Sequence, residues 1–251
     1  MRILLTFLAS VATVGAQTWG ACTVTNGSPP TPVPINSVEH NCTTFAACDG
    51  QADVMFVMDG SSSITFSDSN AYTDAVAFMK DLAMSFSMGD NLVRVGMVQY
   101  SAPTGSLGTC DSVNGVCDAS VLEKFEVQEL TGNPKQLCAV LDRPMIASGT
   151  PILEGLQVAH CAMKAAQSNA KFMVFITDGK PPDATKADIV ALAQQIRNES
   201  VTIFAIGVGG TEANPTADVS LLRQIASLPV DDHLFHADKF SELLAGNFSK
   251  R

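Results

Sequence analysis

Residues 54–64 read VMFVMDGSSSI. Five apolar side chains run straight into an aspartate, a glycine and three serines, after which an apolar-patterned segment resumes. A short, continuous apolar run closed by turn-forming residues is the signature of a strand buried on both faces, the kind a mostly parallel sheet contains. The small oxygen-bearing side chains at its carboxyl end then sit where open parallel sheets bind ligands.

The same texture recurs along the chain. LVRVGMVQY (92–100), FMVFIT (172–177) and VTIFAIGVG (201–209) are further apolar runs, HLFHA (233–237) is a short one, and VLEKFEV (121–127) alternates apolar with charged residues as an edge strand does. Between them lie helix-period segments. Tyr72, Ala75, Val76, Met79, Leu82, Ala83 and Phe86 make one apolar stripe. Ile152, Leu156, Ala159 and Met163 make another, on a helix predicted to start near Pro151, a residue suited to the first turn. Residues 185–199, 216–227 and 238–247 are the remaining expected helices. Strands alternating with helices predict an α/β protein with a mostly parallel sheet.

The chain has 251 residues, 46% of them hydrophobic, enough for one full-sized core and little more. MRILLTFLASVATVGA (1–16) has the layout of a secretory signal peptide, with one early arginine, an apolar stretch and small residues before Gln17. That stretch, about 12 residues, is shorter than the roughly 20 a membrane span needs, so the expected mature chain carries no span and is secreted. Residues 17–51 hold three of the seven cysteines and the run GSPPTPVPINS, which excludes a helix or central strand; they are expected to form an amino-terminal extension to a domain over 52–251. Sequons at Asn26, Asn41, Asn198 and Asn247 fit a glycoprotein, and seven cysteines without a Cys-x-x-Cys pair point to disulfides rather than zinc. Cys110 and Cys117 are the expected local bridge. The odd count leaves a cysteine for an intermolecular bond, so a disulfide-linked or self-associated oligomer is one expectation. A formal charge of -10 argues against nucleic acid and against anionic lipid as partners.

Asp59 closes one buried strand and Asp178, in FMVFITDGKPPD, closes another. If those strands are neighbours, two carboxylates converge on one rim and repel unless something positive lies between them. Ser61 and Ser63 add neutral oxygens from the same loop, and Thr150, in ASGTPILEGL, adds a third hydroxyl where a helix begins. About six oxygens with few nitrogens or sulfurs is what a hard divalent cation such as Mg2+ asks for.

These residues resemble the von Willebrand factor type A family, which includes integrin I domains, matrilins and the thrombospondin-related adhesins of parasites. Asp59-Gly60-Ser61-Ser62-Ser63 matches its Asp-x-Ser-x-Ser signature; VRVGMVQYS, the loop at Thr150, FITDGKP, VTIFAIGVG and HLFHADKFSELL follow in the family's order. The resemblance implies a doubly wound, open, mostly parallel six-stranded sheet with one antiparallel edge strand and helices on both faces. It also implies a metal-ion-dependent adhesion site, with the hydroxyls of Ser61, Ser63 and Thr150 on the metal (Mg2+, or Mn2+ or Ca2+) and Asp59 and Asp178 acting through water. A cation held mainly by neutral hydroxyls keeps much of its charge, and so attracts an acidic side chain of an extracellular protein partner. Family members also switch affinity by shifting the last helix, here near Lys239–Asn247. The sequence departs from the animal adhesins in reading Gly-Thr-Pro at the threonine loop, and in a long segment from Ala102 to Ser120; both bear on the choice of partner.

Other readings exist for each feature. Asp59, Ser61 and Ser63 have the composition of a helix N-cap, although Ser67 and Asp68 lie nearer the helix. Asp178 before Gly179 suits an ordinary turn. A hydrolase would need a histidine beside Ser61 or Ser63, and GVGGT (207–211) lacks the spacing of a phosphate loop. The expected function is therefore non-enzymatic adhesion. The alternative is a structural matrix or wall component whose metal only stabilises the fold.

Overall fold

The computed structural model describes residues 51–250 except 67, 87, 103–109, 112–115, 118–123, 212–213 and 245–248. The signal peptide, nearly all of the extension, His40 and the sequons at Asn26, Asn41 and Asn247 lie outside these residues. Asn198 lies inside them, exposed at the end of a helix.

The strands are β1 (Ala52–Asp59), β2 (Val93–Tyr100), β3 (Glu126–Thr131), β4 (Lys171–Thr177), β5 (Val201–Val208), β6 (Leu234–Ala237) and β7 (Ser249–Lys250). The helices are α1 (Ala71–Met84), α2 (Pro134–Leu141), α3 (Ile152–Met163), α4 (Asp183–Asn198), α5 (Val219–Ile225) and α6 (Phe240–Leu244). One sheet takes the order β7-β6-β5-β4-β1-β2-β3. Five strands run parallel, β3 pairs antiparallel to β2, and the two-residue β7 pairs antiparallel to β6 as a short addition to the six expected strands.

The continuous apolar runs follow from burial on both faces. Val54, Phe56 and Met58 of β1 face a core built with α1, α2 and α6, while Met55 and Val57 face a second core built with α3, α4 and α5. Reversal of strand order occurs beside β1, which puts the carboxyl ends of β1 and β4 next to each other.

Two expectations are corrected. The edge strand begins at Glu126, not at residue 121: Lys124 and Phe125 precede it, and 121–123 lie outside the described residues. An edge register is set by its partner, and here β2 imposes an irregularity between Val95 and Met97. Gly96 lies at that irregularity, where a Cβ would stand 2.9 Å from the Gln128 carbonyl. Helix α2 was not expected; its signals are Asn133, whose side chain accepts from the Lys135 N–H, followed by Pro134 in the first turn.

Cys110 and Cys117 stand opposite each other in a two-residue antiparallel ladder, a backbone arrangement compatible with the expected bridge. Among the described residues no helix is long and apolar enough to cross a membrane.

Candidate metal centre

Past Asp59 the chain keeps pairing. The Gly60 N–H donates to the Tyr100 carbonyl at 2.9 Å, and Gly60 cannot carry a side chain because a Cβ would stand 2.4 Å from Gln99 Oε1. The buried Gln99 amide fills that space usefully: Oε1 accepts from the Ile146 N–H at 2.8 Å, and Nε2 donates to the Tyr72 hydroxyl at 3.0 Å. Gly60 is thus needed for close approach rather than for a left-handed turn.

The threonine loop is strapped alongside. Ala147 N–H donates to the Gly60 carbonyl (2.9 Å) and Ser62 N–H to the Ser148 carbonyl (3.0 Å). On the other side, Gly149 N–H donates to the Ala102 carbonyl (2.9 Å), Ser148 N–H to Ser101 Oγ (2.9 Å) and Ser101 Oγ to the Gly149 carbonyl (3.0 Å). Ala147 takes a left-handed φ of 60°, a strained choice for alanine that these bonds hold in place. Sequence pattern alone gave no sign of Gln99 or Ser101 in this role.

The predicted residues converge. Asp59 is fully buried, with Oδ1 accepting from the Ser61 N–H (2.9 Å) and Oδ2 from the Thr177 hydroxyl (2.7 Å). Ser61 Oγ and Ser63 Oγ lie 2.8 Å apart, and Ser63 Oγ donates to Asp178 Oδ1 at 3.0 Å. Thr150 borders the same rim: a Cβ at Gly179 would meet Thr150 Cγ2 at 3.0 Å and Asp59 Oδ2 at 3.4 Å. The cluster opens outward from buried Asp59 and Ser61 to exposed Ser63.

The competing readings can be checked against these contacts. Helix α1 is entered through Asp68, whose carboxylate accepts from the Asn70 N–H at 2.9 Å, so Asp59, Ser61 and Ser63 are not its caps. Asp178 reaches a serine 115 residues away, which an isolated turn does not require. Thr177 was missed; it accepts from the Gly179 N–H at 3.0 Å while donating to Asp59, and its signal was a hydroxyl just before a strand-terminal Asp-Gly.

The electrostatics are lopsided. Burial pushes the Asp59 carboxyl up against the pull of its hydrogen bonds, and burial together with the Asp59 charge pushes Asp178 up to about 6. Among the described residues neither carboxylate has a lysine, arginine or histidine ion-pair partner. Two paired, desolvated carboxylates without a cation are unfavourable as they stand. The donor set fits a hard divalent ion: every side-chain donor is oxygen, and only two are acids. No group of three or more His, Cys, Asp or Glu able to hold a metal occurs among the described residues.

The described histidines lie elsewhere. His160 Nε2 is 2.9 Å from Glu199, His233 Nδ1 is 2.9 Å from the Pro229 carbonyl, and His236 Nε2 is 3.2 Å from the Gly209 carbonyl.

The profile of the von Willebrand factor type A domain matches residues 53–250. The chain belongs to that family. Human matrilin-1 is 28% identical over 199 residues, covering 75% of this chain and 34% of its own length. Mouse matrilin-2 is 26% identical over 210 residues (79% and 18%), and the human collagen alpha-6(VI) chain 27% over 207 (82% and 8%). The chain therefore spans at most about a third of the length of these relatives.

Solved structures agree on the fold of this type A domain. Proximal thread matrix protein 1 of the mussel byssus, in a form with a zinc-occupied MIDAS motif, superposes with a TM-score of 0.58 at 22% identity, over 81% of this chain and 48% of that one. Manganese-loaded TRAP protein of Plasmodium vivax gives 0.53 at 18% identity, over 79% and 72%.

Proposed function

We propose that this type A domain is a secreted, metal-dependent protein-binding module. Ser61, Ser63 and Thr150 hold a divalent cation through their hydroxyls, with Asp59 and Asp178 acting through water. Mg2+ is the first choice because all the donors are hard oxygens; Mn2+ or Ca2+ are the alternatives. When bound, the ion supplies a Lewis-acidic position that takes up an acidic side chain of an extracellular matrix or cell-surface protein. The observation that carries this reading is the pair of buried Asp59 and half-buried Asp178, uncompensated among the described residues and joined through Thr177, Ser61 and Ser63 in one cluster of oxygens. Phe66, 94% exposed in the turn that Ser63 opens, is an apolar side chain on the same loop. The zinc- and manganese-loaded neighbours and the matrix relatives support the same assignment. An enzymatic reading finds no support in the described histidines, whose partners are Glu199 and backbone carbonyls.

The test is a capture from extracellular material with immobilised domain, with and without chelator. Binding that disappears on chelation and returns with Mg2+ is expected. Binding that is indifferent to chelator would favour the structural-component reading instead.

A pH dependence follows. A raised folded-state pKa means that Asp178 favours the fold most when protonated, below its ordinary value near 4, and that this contribution is lost as pH rises toward about 6. The chelated protein should therefore lose on the order of 2 kcal/mol between pH 4 and 7 from this group. Cation affinity should run the other way, weakening as pH falls through about 6, since the ion must displace a proton. Urea unfolding with chelator and Mg2+ titration across that range measure the two trends.

A further inference from the structure

Asp59, Tyr100 and Thr177 stand at one level on three adjacent strands. Asp59 and Tyr100 are register partners, and Thr177 follows Ile176, the partner of Met58. Strand alternation sends all three side chains toward α3. The Tyr100 ring is fully buried there and stacks on Phe175, with centroids 6.0 Å apart and an interplanar angle of 4°. Helix α3 closes over it at Gly155, where a Cβ would stand 2.5 Å from the ring's Cγ. Held on both sides, the ring carries its hydroxyl into the region of the Asp59 carboxylate and the Thr177 hydroxyl, near enough for both to perturb it.

The hydroxyl nonetheless makes no hydrogen bond of acceptable geometry. Tyr100 Oη and His160 Nδ1 are the two fully buried, unpartnered side-chain polar atoms among the described residues. A buried hydroxyl left without a partner is costly, so its presence calls for a state of the protein in which it is used. Asp59 can provide that state. Each of its oxygens accepts one hydrogen bond, from Ser61 N–H or from Thr177, and a carboxylate oxygen has room for a second. Thr177 already both donates and accepts.

We propose that Tyr100 is a positioning residue of the cation site: with a divalent cation bound, its hydroxyl donates to the Asp59 carboxylate from the core side and fixes that group's orientation. A small shift of the carboxylate toward the ring brings the pair within hydrogen-bond reach, and a carboxylate is a strong acceptor for a phenol O–H. This role resembles the outer hydrogen-bond partners that orient metal-binding carboxylates generally. The inference rests on the cation site proposed above.

The test compares the wild-type chain with Tyr100→Phe, which keeps the ring and removes only the orphaned oxygen. Mg2+ and Mn2+ affinities are measured by calorimetric titration, and stability by urea unfolding in chelator. The expected result is a split: cation affinity falls about 10- to 100-fold, while the chelated variant is as stable as wild type or more so. A purely structural hydroxyl would produce no such split. Affinities within twofold of wild type overturn the proposal, and so does a chelated variant destabilised in step with its loss of affinity, or one that fails to fold. If the wild-type chain binds neither Mg2+ nor Mn2+, the cation site itself is refuted, an outcome recognisable without the variant.

Discussion

Asp59→Asn is expected to remove cation binding while leaving the fold in place. Asparagine is nearly isosteric and can still accept from the Ser61 N–H, so the loop after β1 keeps its anchor. What disappears is the charge, and in the chelated protein that charge is a burden: burial raises the Asp59 carboxyl, and among the described residues no positive side chain offsets it. Loss of affinity of about 100-fold is expected, at the upper end of what removing an outer partner causes, because a negative charge goes with it. Stability reports the loss independently of any partner. At a Mg2+ concentration about 100 times the wild-type dissociation constant, the wild-type fold gains about 2.7 kcal/mol, and the variant should gain no more than about 0.4 kcal/mol. In chelator near neutral pH the variant should equal or exceed wild type. A variant that Mg2+ stabilises as much as it does wild type would refute the assignment of Asp59.

The largest loss of stability is expected at the opposite end of the same strand. Asp53→Ala should destabilise the fold by about 3–5 kcal/mol without changing the cation affinity of the molecules that remain folded. The Asp53 side chain is 1% exposed and pairs with Arg94, whose Nε and Nη2 both lie 2.8 Å from Oδ1. Its Oδ2 accepts from the Gln167 and Ser168 N–H groups, each at 2.8 Å, and so ties the turn after α3 to the start of β1. Removing the carboxylate leaves a guanidinium that is 12% exposed with a neutral acceptor, the Ala165 carbonyl at 3.2 Å from Nη2, and strands two backbone donors. Asp53→Asn should recover part of the loss by serving the N–H groups without the charge. Urea midpoints for the two variants measure this, and a loss under about 1 kcal/mol for alanine would show that Arg94 finds another partner or water.

The two aspartates of β1 show how far sequence reading went. Asp59 was legible because its neighbours repeat a pattern: a small-residue loop after an apolar strand, matched by Asp178 after another. Asp53 carried no such sign, since its partners lie 41 residues away in β2 and 114 and 115 residues away in the turn before β4. The apolar runs at 54–58, 92–100, 172–177 and 201–209 all form strands, because burial on both faces leaves a continuous signal that needs no partner to be read. The edge strand was displaced because half-exposed residues such as those of β3 take their register from β2. Helix α2 was too short for its apolar stripe to stand out, although its Asn-Pro start was visible.

At the site, residue types and their order along the chain named Asp59, Ser61, Ser63, Thr150 and Asp178 as oxygen donors from three loops. That inference is local chemistry, available wherever acids and hydroxyls end buried strands. Whether the loops meet depends on strand order, and only the placement of β4 beside β1 brings Ser63 within 3.0 Å of Asp178. The supporting layer is a matter of tertiary packing too. Thr177 reaches Asp59, and Tyr100 is carried to its side, because three strands align in register and α3 presents a glycine to the tyrosine ring, and neither condition is written in the residues nearby.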